Sequence, residues 1–173
     1  SPTITDPKYI GVYTIGNANF LCSAGSNTAA YKSAFQFSDV NAPETYPAAN
    51  IYYAGDRDGT VVTGVCPIPG GWEIFKEYSI FVFSGIPGAG TMRKVSDNIG
   101  CLAPKSLKIH DNKAYFVGRE GGKLGIFSFN GSQVENLSAS SVEVTLAAYA
   151  QGSVSDICGE IYEDKYIISA RSS

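Results

Sequence analysis

The sequence predicts an all-β fold of antiparallel, propeller-like blades forming a partial ring, on three observations. Short apolar segments of about five residues recur along the chain, separated by Asp/Asn/Gly turns, which is how antiparallel meanders are written. The composition is turn-rich and aromatic, with Gly 19, Tyr 11 and Phe 9 against one Trp and one Met, and it suits strands better than helices. Four segments also repeat one grammar of apolar strand, short polar turn and aromatic-rich strand, at intervals averaging about fifty residues, near the period of propeller blades. Repetition at that interval favours a radial array; a β-sandwich is the alternative. The 173 residues, 44% hydrophobic, are read as a single β domain of three to four blades with its own core.

The stretch Met92–Ser138 reads as one complete blade. An extended lead-in precedes a strand at Ser106–His110, an Asp111-Asn112 turn and a returning strand at Ala114–Gly118. A turn at Glu120-Gly121-Gly122, a strand at Leu124–Phe129 and a type I′ turn at Asn130-Gly131 complete it. The four repeats are Val12–Ser23, Trp72–Gly85, Leu107–Gly118 and Ile161–Ala170.

Elsewhere, Tyr9–Ile15 and Asn19–Ser23 form a hairpin across Gly16-Asn17, and Ala34–Ser38 alternates as a strand. Asp39–Asn50 carries two prolines and several Asn/Asp, so it is a packed loop. Ile51–Tyr53 is a strand that Thr60–Val65 continues beyond the Asp56–Gly59 turn, and Pro67–Gly71 is a break. Trp72–Phe75 pairs with Ser79–Phe83 before a flexible Gly85–Gly90 connection. Ser140–Ala147 is β-branched and reads as a strand, although Val142–Ala150 carries a weak helical period. Cys158–Tyr162 and Tyr166–Ala170 form a last hairpin.

Charge and motifs exclude several function classes. A formal net charge of −3 gives no basic surface for wrapping nucleic acid. No run of eighteen apolar residues appears, so no helical membrane span is expected. Cys22, Cys66, Cys101 and Cys158 are widely spaced with no C-x-x-C, which argues for buried thiols rather than a zinc or redox site. His110 is the single histidine; beside Asp111 it invites a catalytic reading, but no G-x-S-x-G elbow or second histidine supports one. Asp56-x-Asp58-Gly59-Thr60 is the nearest approach to a cation loop, and the twelfth position that should hold Glu is Pro67.

Glu73, Glu77, Glu120, Glu135, Glu143, Glu160 and Glu163 offer carboxylates for a glycosidase pair without a motif to place two of them together. Arg119 and Lys123 flank a Gly-Gly turn as protective edge charges. Gly85–Gly90 lacks the G-K-[ST] ending of a phosphate loop. Asn130-Gly131-Ser132 and Asn136-Leu137-Ser138 match the glycosylation pattern but coincide with turns. The expectation is a non-enzyme with no catalytic, cofactor-binding or metal residues and no cofactor.

Four motifs in order give the chain a resemblance to a known group. They are the loop Ser38-Asp39-Val40-Asn41-Ala42-Pro43-Glu44-Thr45-Tyr46-Pro47, the strand Lys76-Glu77-Tyr78-Ser79-Ile80-Phe81-Val82-Phe83-Ser84-Gly85, the connector Ser96–Ser106 with Gly100-Cys101, and the tail Gly125–Ser132 through Asn136-Leu137-Ser138. From about Tyr9 to Tyr166 the chain resembles the β-propeller structural proteins of tailed-bacteriophage particles, of the tail-nozzle and neck type. The resemblance implies a virion protein assembled in the bacterial cytoplasm, whose partners are other phage structural proteins or copies of itself. Passing DNA would meet it without specific binding, and no membrane is involved.

A complete ring needs more strands than this chain carries, so the blades are expected to belong to a longer chain or to be completed by oligomerisation. A lectin-like propeller using Trp72 and surface tyrosines as sugar platforms is the first functional alternative, and a glycoside hydrolase the second.

Overall fold

The computed structural model describes residues 3–55, 58–69, 71–138, 140–149 and 153–170. Four antiparallel sheets follow one another in chain order. The first joins β1 (Tyr9–Ile15), β2 (Ala18–Ala24), β3 (Ala34–Phe37) and β4 (Ile51–Tyr53), and the second β5 (Val62–Ile68), β6 (Gly71–Lys76), β7 (Ile80–Ser84) and β8 (Thr91–Ser96). The third joins β9 (Lys108–His110), β10 (Lys113–Glu120), β11 (Lys123–Phe129) and β12 (Val134–Asn136). Each is a meander with neighbours in sequence paired side by side. The last sheet holds only two strands, β13 (Cys158–Tyr162) and β14 (Lys165–Ser169). The all-β expectation is therefore met, with one helix, α1 (Ser140–Tyr149), between β12 and β13.

Period-two alternation drives the stacking of these sheets. On β6 and β7, Trp72, Ile74, Phe81 and Phe83 point to the first sheet, where they meet Tyr13, Phe20, Phe35 and Phe37. The intervening Phe75, Ile80 and Val82 point the other way, into Phe116, Phe127 and Phe129 of the third sheet. A smaller cluster of Ala103, Val117 and Ile157, backed by Ile168 and Ala170, joins the third sheet to the hairpin. A two-layer sandwich buries one face of each sheet, whereas all six residues of β6 are buried. The core is thus a series of layers, not one slab.

The tight turns carry strained backbone in residue types that tolerate it. Asp111-Asn112 sit at φ +48° and +58°, and Glu163-Asp164 at +47° and +59°. Positive φ at both central positions is what a type I′ hairpin turn requires. Asn130-Gly131 differs from the expected type I′ turn, since only Gly131 has positive φ, at +84°. Gly131 and Ser132 are the central residues, and the Asn130 side-chain Oδ1 accepts from the backbone N–H of Ser132 and Gln133, so an Asx turn replaces the expected geometry.

Several boundaries move for identifiable reasons. Met92 begins no new unit: it lies in β8, the fourth strand of the second sheet, and the third sheet starts at Lys108. Thr60–Val65 does not continue Ile51–Tyr53, because β4 closes the first sheet and β5 opens the second. Pro67 lies inside β5 rather than in a break; β5 is an edge strand, where a missing N–H leaves no ladder bond unmade. Gly70 of that expected break lies outside the described residues. The repeat Trp72–Gly85 is one strand out of phase, pairing second and third strands where the other three pair first and second.

The strand expected at Ser140–Ala147 is helical. Helix-favouring Glu143, Leu146, Ala147 and Ala148 share the segment with the β-branched residues, and docking on β11 settles the competition. Leu146 is buried there, and Lys123 of β11 reaches Glu143 at 3.7 Å.

Candidate functional site

The sequence motifs turn out to be the joints of the stack. In the Ser38–Pro47 loop, Val40 N–H donates to the Asp39 carboxylate at 2.8 Å, and Asn41 and Asn19 exchange two hydrogen bonds that lay the loop on the end of β2. Ser38 Oγ accepts from Leu21 N–H, Asn50 Nδ2 donates to the Ser38 carbonyl, and Tyr46 and Ser23 hydroxyls meet at 3.0 Å. The connector at Gly100-Cys101 passes so close to the second sheet that a Cβ on Gly100 would overlap the Lys76 carbonyl oxygen. Cys101 then fills a fully buried site, its thiol donating to the Ala103 carbonyl at 3.3 Å. Burial pushes that thiol up to about 12. Ser106 Oγ donates to the Ala103 carbonyl and accepts from Val117 N–H, so a short connector is bonded to the third sheet at both ends.

Gly85–Gly90 is equally occupied. Tyr13 hydroxyl donates to the Gly85 carbonyl at 3.1 Å, and Gly88 N–H donates to the Tyr52 hydroxyl at 2.8 Å. Two tyrosines of the first sheet thereby hold the β7–β8 connection.

Asp58 is drawn into an ion pair rather than a cation loop. Its carboxylate receives the Lys76 ammonium at 2.5 and 2.6 Å, and the Thr60 N–H and hydroxyl donate to it at 3.0 and 2.9 Å. Lys76 also donates to the Ala54 carbonyl at 2.8 Å. Its side chain is fully buried while that of Asp58 is a third exposed. Burial raises the Asp58 carboxyl, but the Lys76 ammonium and the Thr60 donors outweigh it and hold the group below the ordinary carboxylate range. Asp56 lies outside the described residues.

The acids disperse rather than pair. Glu160 meets Lys108 at 2.9 Å, Glu143 meets Lys123, and Glu120 accepts from Asn136 at 3.2 Å. Glu73 alone is fully buried, on the face of β6 toward the third sheet. The Cys66 thiol donates to its Oε2 at 3.0 Å, and Oε1 lies at Gly131 without a hydrogen-bond partner among the described residues. Burial raises this carboxyl to about 8, against the smaller lowering influence of the Cys66 thiol and the Gly131 amide.

A folded-state value above the unfolded one means that the native protein holds a proton the unfolded chain has released. Stability is therefore expected to fall as pH rises from about 4.5 to about 8, by up to about 1.4 kcal/mol per unit for this group. Urea titrations across that window should show Glu73→Gln with a flatter profile than the parent. Parallel profiles would contradict a proton held on Glu73.

His110 does not pair best with its sequence neighbour. Its Nε2 is 3.1 Å from Asp164 and 3.5 Å from Asp111, so it bridges the β9–β10 and β13–β14 turns. Arg119 and Lys123 are not plain edge charges either: both line the groove beneath α1. Trp72 is fully buried, with its ring over Gly11 where a Cβ would overlap it. It cannot serve as a sugar platform, which removes the aromatic basis of the lectin reading. Cys22, Cys66 and Cys101 are the buried thiols expected, whereas Cys158 is exposed. Among the described residues no group of three or more His, Cys, Asp or Glu could hold a metal ion. No helix of the described chain is long and apolar enough to cross a membrane.

What the sequence reading missed is the surface at the two ends of the stack. On the outer side of β1, Ile10 is 63% and Val12 55% exposed, and on the outer side of the hairpin Tyr162 is 62% and Ile167 49% exposed. Strict alternation about the buried Tyr13, and about the half-buried Tyr166 and Ile168, was the available signal. No protein-family model matches the chain, and no curated protein matches it in sequence.

Proposed function

We propose that this chain is a structural subunit whose sheets are blades of a propeller-type array, and that its two outer faces associate head to tail with further copies. The observation that carries this reading is that each internal junction joins apolar faces of consecutive sheets, while the first and last sheets turn large apolar side chains to solvent. A surface that continues the internal stacking pattern, and that differs at its two ends, makes heterologous contacts that close into rings. The order of the Ser38–Pro47, Lys76–Gly85, Ser96–Ser106 and Gly125–Ser138 motifs supports a place in the tail or neck of a tailed-phage particle. The role is scaffolding, not catalysis.

Light scattering on the purified chain tests it. The parent is expected as a defined multiple of 18.3 kDa. Val12→Lys puts a charge on an outer face without touching the core and is expected to return the monomer with unchanged thermal stability. A monomeric parent, or an oligomer indifferent to Val12→Lys, would contradict the reading.

A further inference from the structure

We infer that the free edge of β14 is a receptor for one extended strand, with bulky apolar residues at alternate positions, from another protein chain. The proposal deepens the propeller reading by naming a partner segment, and it rests on the strand-by-strand repetition of that reading.

In the first three sheets the second strand is always paired on its far side by a third. Those third strands read Ala34-Phe35-Gln36-Phe37, Ile80-Phe81-Val82-Phe83 and Ile126-Phe127-Ser128-Phe129, each with two phenylalanines one residue apart. Register places them opposite the second strand in the same way, Phe37 against Cys22, Phe83 against Trp72 and Phe129 against Ala114. In the fourth sheet β14 is the second strand, and no described strand pairs with its far edge.

The space beside that edge has the dimensions of a strand. A groove of about 600 Å³ runs between β14 and α1, walled by Ile168 and Ala170 on one side and Val142 and Leu146 on the other, with Ile126 as its floor. It continues the apolar interface of Val117 and Ile157 with Ile168 and Ala170 that already joins the third sheet to the hairpin. Only an extended backbone can satisfy the unpaired N–H and C=O groups of β14, and only alternate apolar side chains can cover Ile126 and Leu146 from above. Helix α1 occupies the part of β11 that a full fourth sheet would cover, so there is room for one strand rather than two.

The probe is a synthetic peptide copying residues 79–85, Ser-Ile-Phe-Val-Phe-Ser-Gly, titrated into the full chain and followed by amide chemical shifts and hydrogen exchange. Saturable shifts and new protection are expected at Lys165–Ser169. Val142→Asp, at a half-buried wall of the groove, should weaken binding at least about tenfold, as should replacing both peptide phenylalanines by serine. No saturable shift at Lys165–Ser169 up to about 1 mM peptide, shifts centred elsewhere, or binding indifferent to Val142→Asp would each overturn the proposal. The light-scattering result is independent of this peptide, so head-to-tail association and strand capture can fail separately.

Discussion

Trp72→Ala is expected to cost about 3–5 kcal/mol, enough to unfold a domain of ordinary stability. The indole is the largest fully buried side chain, and it packs on Tyr13 and Phe37 with ring centroids 6.0 and 6.2 Å apart. Gly11 supplies the flat backbone on which the ring lies. Truncation would open a void at the junction of the first two sheets, and their stiff aromatic neighbours can collapse into it only in part. Thermal or urea unfolding of Trp72→Phe beside Trp72→Ala checks the mechanism. The larger ring should retain much of the lost stability, and equal losses in the two variants would contradict a packing origin.

The second large effect concerns Lys76. Its ammonium lies buried at the crossover from the first sheet to the second, held by Asp58 and by the Ala54 carbonyl. Asp58→Ala would strand that charge, at an expected cost of about 3 kcal/mol; exposure of Asp58 keeps the figure at the low end for broken buried pairs. Removing both charges should be far milder. Lys76→Met with Asp58→Ala is expected to recover most of the loss, since a methionine fits the channel of the lysine stem without a charge to solvate. A double variant as unstable as Asp58→Ala would show that the pair contributes through geometry instead. Asp58 is held ionised by Lys76 and Thr60, so its contribution is present above the unfolded carboxyl range and fades as pH falls below it. That direction is opposite to the one expected of Glu73.

The sequence made the strands legible wherever alternation and turn chemistry agreed. Tyr9–Ile15, Asp111-Asn112 and Glu163-Asp164 needed no tertiary information, because their backbone demands are local. The helix at Ser140–Tyr149 was hidden because Val142, Val144 and Thr145 favour strands, and only the docking surface on β11 decides against them. The phase of the second repeat was misread for a related reason. Trp72–Phe75 and Ser79–Phe83 form the most apolar hairpin, but they lie in the middle of a sheet whose first strand contains a proline.

The Ser38–Pro47 and Gly100-Cys101 motifs were correctly read as architecture, since their hydrogen bonds and close approaches join sheets together. Glu73 and Lys76 could not be told from solvated charges on an alternating strand. Both faces of β6 are buried, and that follows only from the stacking of its neighbours.

The head-to-tail claim is tested most directly by cross-linking across the proposed contact. Cys158 is exposed on the outer side of the hairpin, whereas Cys22, Cys66 and Cys101 are buried with thiols raised by that burial. Val12→Cys would add a second reactive thiol, on the outer side of β1. Treated with a short bismaleimide, this variant should yield inter-chain links between position 12 of one copy and Cys158 of the next, identified by mass spectrometry of the digested product. Links joining only position 12 to position 12 or Cys158 to Cys158, or no inter-chain link at all, would contradict it.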